Sequence, residues 1–284
     1  LRDAAREQAH NWREIPQMFK DTKATFERVE AKREEATAVV PRPMGDAPHT
    51  IFNQPGPALR TYARTLIPTA DLQRIRPATG ATLNDVALAI VAGSLRSYLL
   101  ARDALPEKGL VANVPVSGDP PGTPPRQWGN RFANFFALLH TDVEDPRERL
   151  AAISASTAEA KAQLAVQGHD TLNAWLDRMP PAIGRPAARA MVNRSARNTE
   201  KADFNVLVSN VRITARDWRI GGQRIAHPYL SGPPGDDTGL NITLVGYDDL
   251  LHITVVGNPV TMTDPDEVVD GLHAALEELT ACTV

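Results

Sequence analysis

A chain of 284 residues, 42% apolar and 23% charged, has the make-up of an ordinary globular protein: one large domain or two small ones, with ample core. Its net charge of −3 gives no electrostatic case for nucleic acid, and a single cysteine, Cys282, excludes an internal disulfide framework or a cysteine metal site and fits a reducing compartment. No apolar run approaches the roughly 20 residues of a spanning helix and no secretory signal opens the chain, so the expected location is cytoplasmic, with any lipid contact peripheral to the inner membrane face.

Residues 1 to about 36 read as a charged helical arm that Pro16 breaks or kinks, with a thin apolar stripe of Ile15, Met18, Phe19, Phe26 and Val29. Val39 to Arg60, with five prolines and two glycines, reads as an extended linker. The compact part is expected from residue 60 on. A strand runs from about Arg60 to Ile67, and Thr69 starts a short helix. A long helix follows over about Thr82 to Ala101, then a buried strand, "GLVANVPVS". After a Pro/Gly-rich loop, "ANFFALLHT" is another strand. Asp145-Pro146-Arg147-Glu148 then carries a helix start: an acceptor at the cap, proline where no N–H is needed, and a carboxylate in the first turn.

A second helical region is expected over about Thr171 to Ala196, interrupted near Pro180-Pro181 and Pro186. The last third is mostly strand: "DFNVLVSNV" from Asp203 to Val211, a hairpin around Gly221-Gly222, and a hairpin from Leu240 to Asn258 turning at Asp248-Asp249. A closing helix presents Val268, Val269, Leu272, Leu276 and Leu279 on one face. Strands alternating with helices, then a hairpin and a last helix, predict an α/β (α+β) fold with a mixed sheet and flanking helices.

The usual catalytic signatures are missing. No two of the seven histidines stand at metal-ligand spacing on one helix; there is no phosphate loop and no Gly-x-Ser-x-Gly elbow. His140, His227 and His252 read as structural, and Asp236-Asp237 without further ligands is no metal site, so no metal is expected. Asn241-Ile242-Thr243 fits a glycosylation pattern, but in a strand it is discounted.

Five stretches in order, "ATLNDVALAIVAGSLRSYL" with "VANVPVS", "GNRFANFFALLHTDVEDPRERLAAI", "FNVLVSNV" and "GLNITLVGYDDLLHITVVGNPVTMTDPDEV", resemble the C-terminal half of the bacterial wax ester synthase/diacylglycerol acyltransferase family. The resemblance covers about Arg60 to Leu279. It implies a chloramphenicol-acetyltransferase-like lobe, one of two flanking a tunnel, in an enzyme that moves a fatty acyl group from CoA to diacylglycerol or a long-chain alcohol. The family's His-His-x-x-x-Asp-Gly motif lies in the other lobe, and no His-His pair occurs in this sequence. No catalytic residue is therefore expected in this chain. Residues 1–59 are the arm and linker from an N-terminal catalytic lobe, on the same polypeptide or a companion chain, and residues 60–284 are the C-terminal lobe. The start at Leu1 rather than methionine fits a cut or split protein. Acyl-CoA enters as substrate, with no cofactor, and the lipid substrates leave room for peripheral membrane or lipid-droplet contact. One departure concerns the loop beside the tunnel: family members often continue Ser-Asn-Val into Pro-Gly-Pro, whereas here Arg212-Ile213-Thr214 follows.

Two readings stand for each candidate. Asp85, three residues after the Thr82 cap, reads first as part of a helix start, while the resemblance makes Asn84-Asp85 a motif near the tunnel. Asn205, Ser209, Asn210 and Asn241 lie in or beside apolar strands, where polar side chains require partners; they bond either to loop backbone or to substrate. The loop from Leu230 to Asn241, with Gly239, is either a connection or a tunnel border. The alternatives are a lobe that binds lipid or a protein partner without catalysis, and a transferase with another alcohol acceptor.

Overall fold

A computed structural model describes residues 2–42, 45–119, 122–124, 128, 131–168, 182, 184–186, 189–190, 201–213, 217–235 and 238–283. Six strands form one mixed sheet in the order β2-β10-β9-β6-β3-β4. These are β2 (Thr61–Pro68), β3 (Val111–Ser117), β4 (Phe132–Leu138), β6 (Val206–Arg212), β9 (Leu240–Tyr247) and β10 (Leu250–Gly257), while β7 (Arg219–Ile220) and β8 (Gln223–Arg224) pair with each other around Gly221-Gly222. β9 and β10 are the expected hairpin, with Tyr247 opposite Leu250 and Asp248 in the left-handed region at the turn. β6 runs parallel to β9 over six residue pairs, from Leu207↔Asn241 to Arg212↔Gly246. Its parallel pairing with β3 is limited to Ala112↔Val206 and Asn113↔Leu207.

One core joins alternate residues of the strands, among them Ala112, Val114, Val206, Val208, Ile242, Leu244, Ile253 and Val255, to the helices. These are α2 (Thr69–Thr79), α3 (Leu83–Leu100), α4 (Pro146–Gln167) and a closing helix, α5 (Asp266–Thr283). α3 is apolar on nearly every side because it lies in the middle of this layer. Its length and composition would suit a membrane span, but 72% of it is buried in the protein, which makes it a core helix. Gly271 lets α5 approach α3 closely: a Cβ there would lie 2.7 Å from Ser94 Oγ, whose hydroxyl donates to the Val268 carbonyl at 2.7 Å.

Three expectations need correction. α1 (Arg2–Glu34) runs through Pro16 without a break, and its C-terminal part lies on α4. Of its apolar stripe, Phe26 is exposed and Val29 half-buried, while the side chains of Ile15, Met18 and Phe19 lie outside the described ones. The segment expected to be an extended linker is instead docked. Its β1 (Ala47–Pro48) pairs with β5 (Lys201–Ala202), and Phe52 enters the core to stack on Tyr98 at 5.8 Å. The reason is composition within the linker: Ala47, Ile51 and Phe52 have a core within reach, and proline does not prevent an edge pair. β6 begins at Val206 rather than Asp203, because Asn205 is diverted into side-chain bonding. Most of the helical region expected over 171–196, and the Asp236-Asp237 pair, lie outside the described residues.

Candidate functional site

Asp85 closes both halves of a capping box. Its backbone N–H donates to Thr82 Oγ1 at 3.2 Å, and its Oδ2 accepts from the Thr82 N–H at 3.0 Å and hydroxyl at 2.7 Å. The other oxygen, Oδ1, accepts from the Thr157 hydroxyl at 2.8 Å and lies 3.9 Å from Lys161 Nζ. The carboxylate is thus buried, fully engaged, and ties the start of α3 to the middle of α4. Asn84, one position earlier, points elsewhere. Its Oδ1 accepts from Asn210 Nδ2 at 3.2 Å, joining α3 to the end of β6.

Around that contact lies a groove of about 1070 Å³. It follows the C-terminal ends of β3 and β6 and the start of β4. Its polar lining includes Asn84, Asn113, Asn134, Lys161, Ser209 and Asn210, and Arg131 and Arg212 stand in the same wall. Val116, Leu207 and Phe135 supply apolar surface, and Pro233 of the loop before β9 completes one side. Ser209 and Asn210 are neighbours in a strand, so they leave the sheet on opposite faces: Asn210 toward α3 and Ser209 toward the other face. Both reach the groove because it opens where the sheet itself parts. Asn113, half-buried, stands where the β3–β6 pairing ends, and its side-chain Oδ1 is buried with no hydrogen-bond partner.

The other sequence candidates are not brought here. Asn205 is fully buried; its Oδ1 accepts from the Val111 N–H at 2.9 Å, and its Nδ2 donates to the Pro48 carbonyl at 2.6 Å and to Asn53 Oδ1 at 2.8 Å. It clamps the linker to the sheet. Gly239 donates its N–H to the Phe52 carbonyl at 2.6 Å, and a Cβ there would lie 2.8 Å from the Asn258 Cβ. It is a close-approach glycine in the same docking. Asn241 is buried under the loop on the face away from α3, where its Oδ1 accepts from the Thr243 hydroxyl at 2.8 Å and Gly232 passes over its amide.

Among the described residues the histidines stand apart from the groove. His252 is buried between strands and loop, its Nδ1 3.3 Å from the Val245 carbonyl and its Nε2 3.3 Å from His227 Nδ1, with Tyr229 edge-on. Burial pushes its pKa below the ordinary 6.5; the Val245 carbonyl opposes that and His227 adds to it. Burial also lowers His140, against the nearby Asp142 carboxylate. Among the described residues no group of three His, Cys, Asp or Glu side chains could hold a metal ion.

Sequence reasoning missed Asn113, Asn134 and Lys161. A signal for the first existed: proline inside "VANVPVS" marks a strand whose pairing is interrupted on one edge.

The class follows from the architecture. The fold, a mixed sheet with helices packed on it, is shared with the cyclization-docking bidomain EpoB of Sorangium cellulosum. The TM-score is 0.53 over 91% of this chain and 48% of that one, and at 14% identity the likeness is one of fold alone, the CoA-acyltransferase and condensation-domain type. Within that class the chain belongs to the wax ester synthase/diacylglycerol acyltransferase family. Residues 128–280 match the WS/DGAT C-terminal domain, and residues 3–87 match the wax ester synthase/diacylglycerol acyltransferase catalytic domain. A protein of Mycobacterium tuberculosis named "putative diacylglycerol O-acyltransferase" is 33% identical over 84% of this chain and 46% of its own length. The wax ester synthase/diacylglycerol acyltransferase of Marinobacter aquaeolei VT8 superposes with a TM-score of 0.65 at 26% identity, over 94% of this chain and 56% of that one. The chain thus spans about half the length of the relatives it matches. The catalytic-domain match runs through the arm, the linker, β2 and α2, so elements from both matched regions build one sheet.

Proposed function

We propose that this chain is the C-terminal part of an acyl-CoA-dependent O-acyltransferase that esterifies diacylglycerol or a long-chain alcohol. The groove would form one wall of the reaction tunnel, with residues 1–59 leading from an N-terminal lobe that forms the other. The observation that carries this is the groove itself, in a chain of this family. It is large enough for a drug-sized ligand or larger, carries amides, a hydroxyl and cations, and among the described residues no histidine lines it. Such a wall orients substrates and balances charge but has no group suited to take a proton near neutral pH. In the assembled enzyme a first-lobe histidine would remove the hydroxyl proton. The oxygen would attack the thioester carbonyl, the C–S bond would break, and the proton would pass to the leaving thiolate. The lipid substrates place this chemistry at a membrane or droplet surface, reached peripherally.

The test is transfer of palmitate from palmitoyl-CoA to dioleoylglycerol or hexadecanol, by the 284-residue chain alone and joined to a first lobe carrying His-His-x-x-x-Asp-Gly. Activity is expected only in the joined protein. Robust turnover by the chain alone would show that the catalytic group is here and overturn the proposal, and an inactive joined protein would favour a lobe that only binds.

A further inference from the structure

On the face of the sheet away from α3, neighbouring strands bring a polar layer together. Thr243 of β9 stands between Ser209 of β6 and Thr254 of β10, and Thr254 stands opposite Arg64 of β2. Asn241 lies two residues before Thr243, and His252 two before Thr254, on the same face. All four of Asn241, Thr243, His252 and Thr254 are buried. Among the described residues, Asn241 Nδ2 and Thr254 Oγ1 have no hydrogen-bond partner. The layer is covered by residues 226–235. Tyr229 sets its ring edge-on to His252, with centroids 5.4 Å apart, and carries the Arg64 guanidinium at 5.1 Å. Gly232 passes so close to Asn241 that a Cβ there would lie 2.8 Å from Nδ2. Thr254 lies between these two contacts. The cover is lightly fastened: among the described residues no main-chain hydrogen bond ties 226–234 to the sheet. Its polar tie joins His227 Nδ1 to His252 Nε2 at 3.3 Å.

We infer that residues 226–235 form a strap released by acid, closed over the sheet at neutral pH by the His227–His252 hydrogen bond and lifted when His252 takes a proton. The inference stands on this face of the sheet and does not depend on the transferase reading. The contacts fix where the protons sit. His252 Nδ1 faces the Val245 carbonyl at 3.3 Å and therefore carries the hydrogen. Its Nε2 is then the acceptor, and His227 Nδ1–H the donor. A proton added to His252 goes on Nε2 and sets N–H against N–H. A proton added to the exposed His227 goes on its other nitrogen and leaves the bond in place. The buried ring therefore decides. Little around it can hold a cation. β9 and its turn present the Tyr247 ring and Asp248, whose carboxylate already accepts from Arg224 Nη2 at 2.6 Å, with Asp217 4.0 Å from the same guanidinium. β2 presents the apolar Leu66 and the cation Arg64, and the strap presents His227 and Tyr229. Burial holds His252 below its ordinary 6.5 while the strap is closed. With the strap lifted the ring is in water and titrates near 6.5, so the open state takes the proton first as pH falls. The ratio of open to closed then rises by up to about tenfold per pH unit below 6.5. The two unpaired groups under the strap push the same way, because opening gives them water. Pro233 belongs to the strap and also lines the groove, so lifting it extends the groove past Ser209 onto Thr243, Thr254 and Asn241.

The experiment reads access to the covered layer in the 284-residue chain. Thr254→Cys, a change of similar size, places a thiol under the strap, and Cys282→Ser removes the exposed one. Reaction of the buried thiol with dithiodipyridine is timed against glutathione at the same pH, from about pH 7.5 to about 5.5, while circular dichroism follows the whole fold. Relative to glutathione, labelling is expected to be slow at the upper pH and about tenfold faster at the lower one, with the dichroism unchanged. His252→Gln should abolish that rise. His227→Ala, at an exposed position, should label fast at both ends of the range. Three results overturn the strap: a labelling rate that simply follows glutathione, a rise that survives His252→Gln, or a His227→Ala chain as slow as its parent at neutral pH. A rise that comes only with loss of the dichroism signal overturns it as well, since the whole fold rather than the strap would then be opening.

Discussion

The two ends of the β3–β6 junction are built from the same chemistry to opposite effect. At the entry end Asn205 and Asn53 act as an internal clamp. Every polar group of the Asn205 amide is engaged, the linker carbonyl of Pro48 is held, and Asn53 Nδ2 adds a bond to the Phe204 carbonyl at 2.8 Å. At the exit end Asn113 is only half-buried, but its side-chain oxygen is buried without a hydrogen-bond partner, and Pro115 has no N–H to carry the ladder on. Buried polar groups cost free energy unless paired. A satisfied amide therefore marks architecture, and an orphaned one beside a groove marks a place kept for a ligand.

The sharpest way to break that contrast is to cut the clamp. Asn205→Ala leaves the Val111 N–H and Pro48 carbonyl unpaired in the interior and should cost roughly 2–6 kcal/mol, read as a fall in the urea midpoint at unchanged m. Asp85→Ala comes next. It removes a cap, ordinarily about 0.5–2 kcal/mol, and also the Thr157 bond across to α4. A loss of roughly 2–4 kcal/mol is expected by the same assay, and a loss under about 0.5 kcal/mol would contradict the reading of Asp85 as chiefly structural.

A smaller effect concerns pH. Burial holds His252 below its ordinary 6.5, as it does His140, so on acidification the unfolded chain binds protons first. The stability that goes with the neutral rings is fully present above about pH 6.5 and falls as pH drops below it. Melting followed from pH 7.5 to about 5 should show that fall, and His252→Gln should make it shallower by a few degrees. The smallest effect belongs to the exposed Asn84–Asn210 bond. A double-mutant cycle with alanine should give a coupling within about 0.5–1.5 kcal/mol, with little change in melting for either single variant.

How much of this was legible follows the distance over which each feature is decided. The Thr82–Asp85 box and the Asp145-Pro146 start are settled within four residues, and the structure has both. The β9–β10 hairpin is carried by alternation and a two-residue turn. The linker's docking was not legible, because Phe52 meets Tyr98 and Asn53 meets Asn205 only after the chain has folded back across the sheet. The candidate site was half legible. Period-two alternation alone could have separated Ser209 from Asn210, and the proline in β3 could have pointed to the parting of β3 and β6. That Asn205 would spend its amide on the linker, while Asn113 would be left over, depends on partners 94 and 157 residues earlier in the chain.

The most direct measurement takes Asn205→Ala and Asn113→Ala side by side in the joined two-lobe protein and records Tm and palmitoyl-CoA transfer for each. The account predicts a crossing. Asn205→Ala lowers Tm by several degrees while transfer per folded molecule persists at a temperature where it stays folded, and Asn113→Ala keeps its Tm and loses transfer at limiting palmitoyl-CoA. If stability and transfer fall together in both variants, the two ends of the junction do not differ in kind, and the division into clamp and groove is wrong.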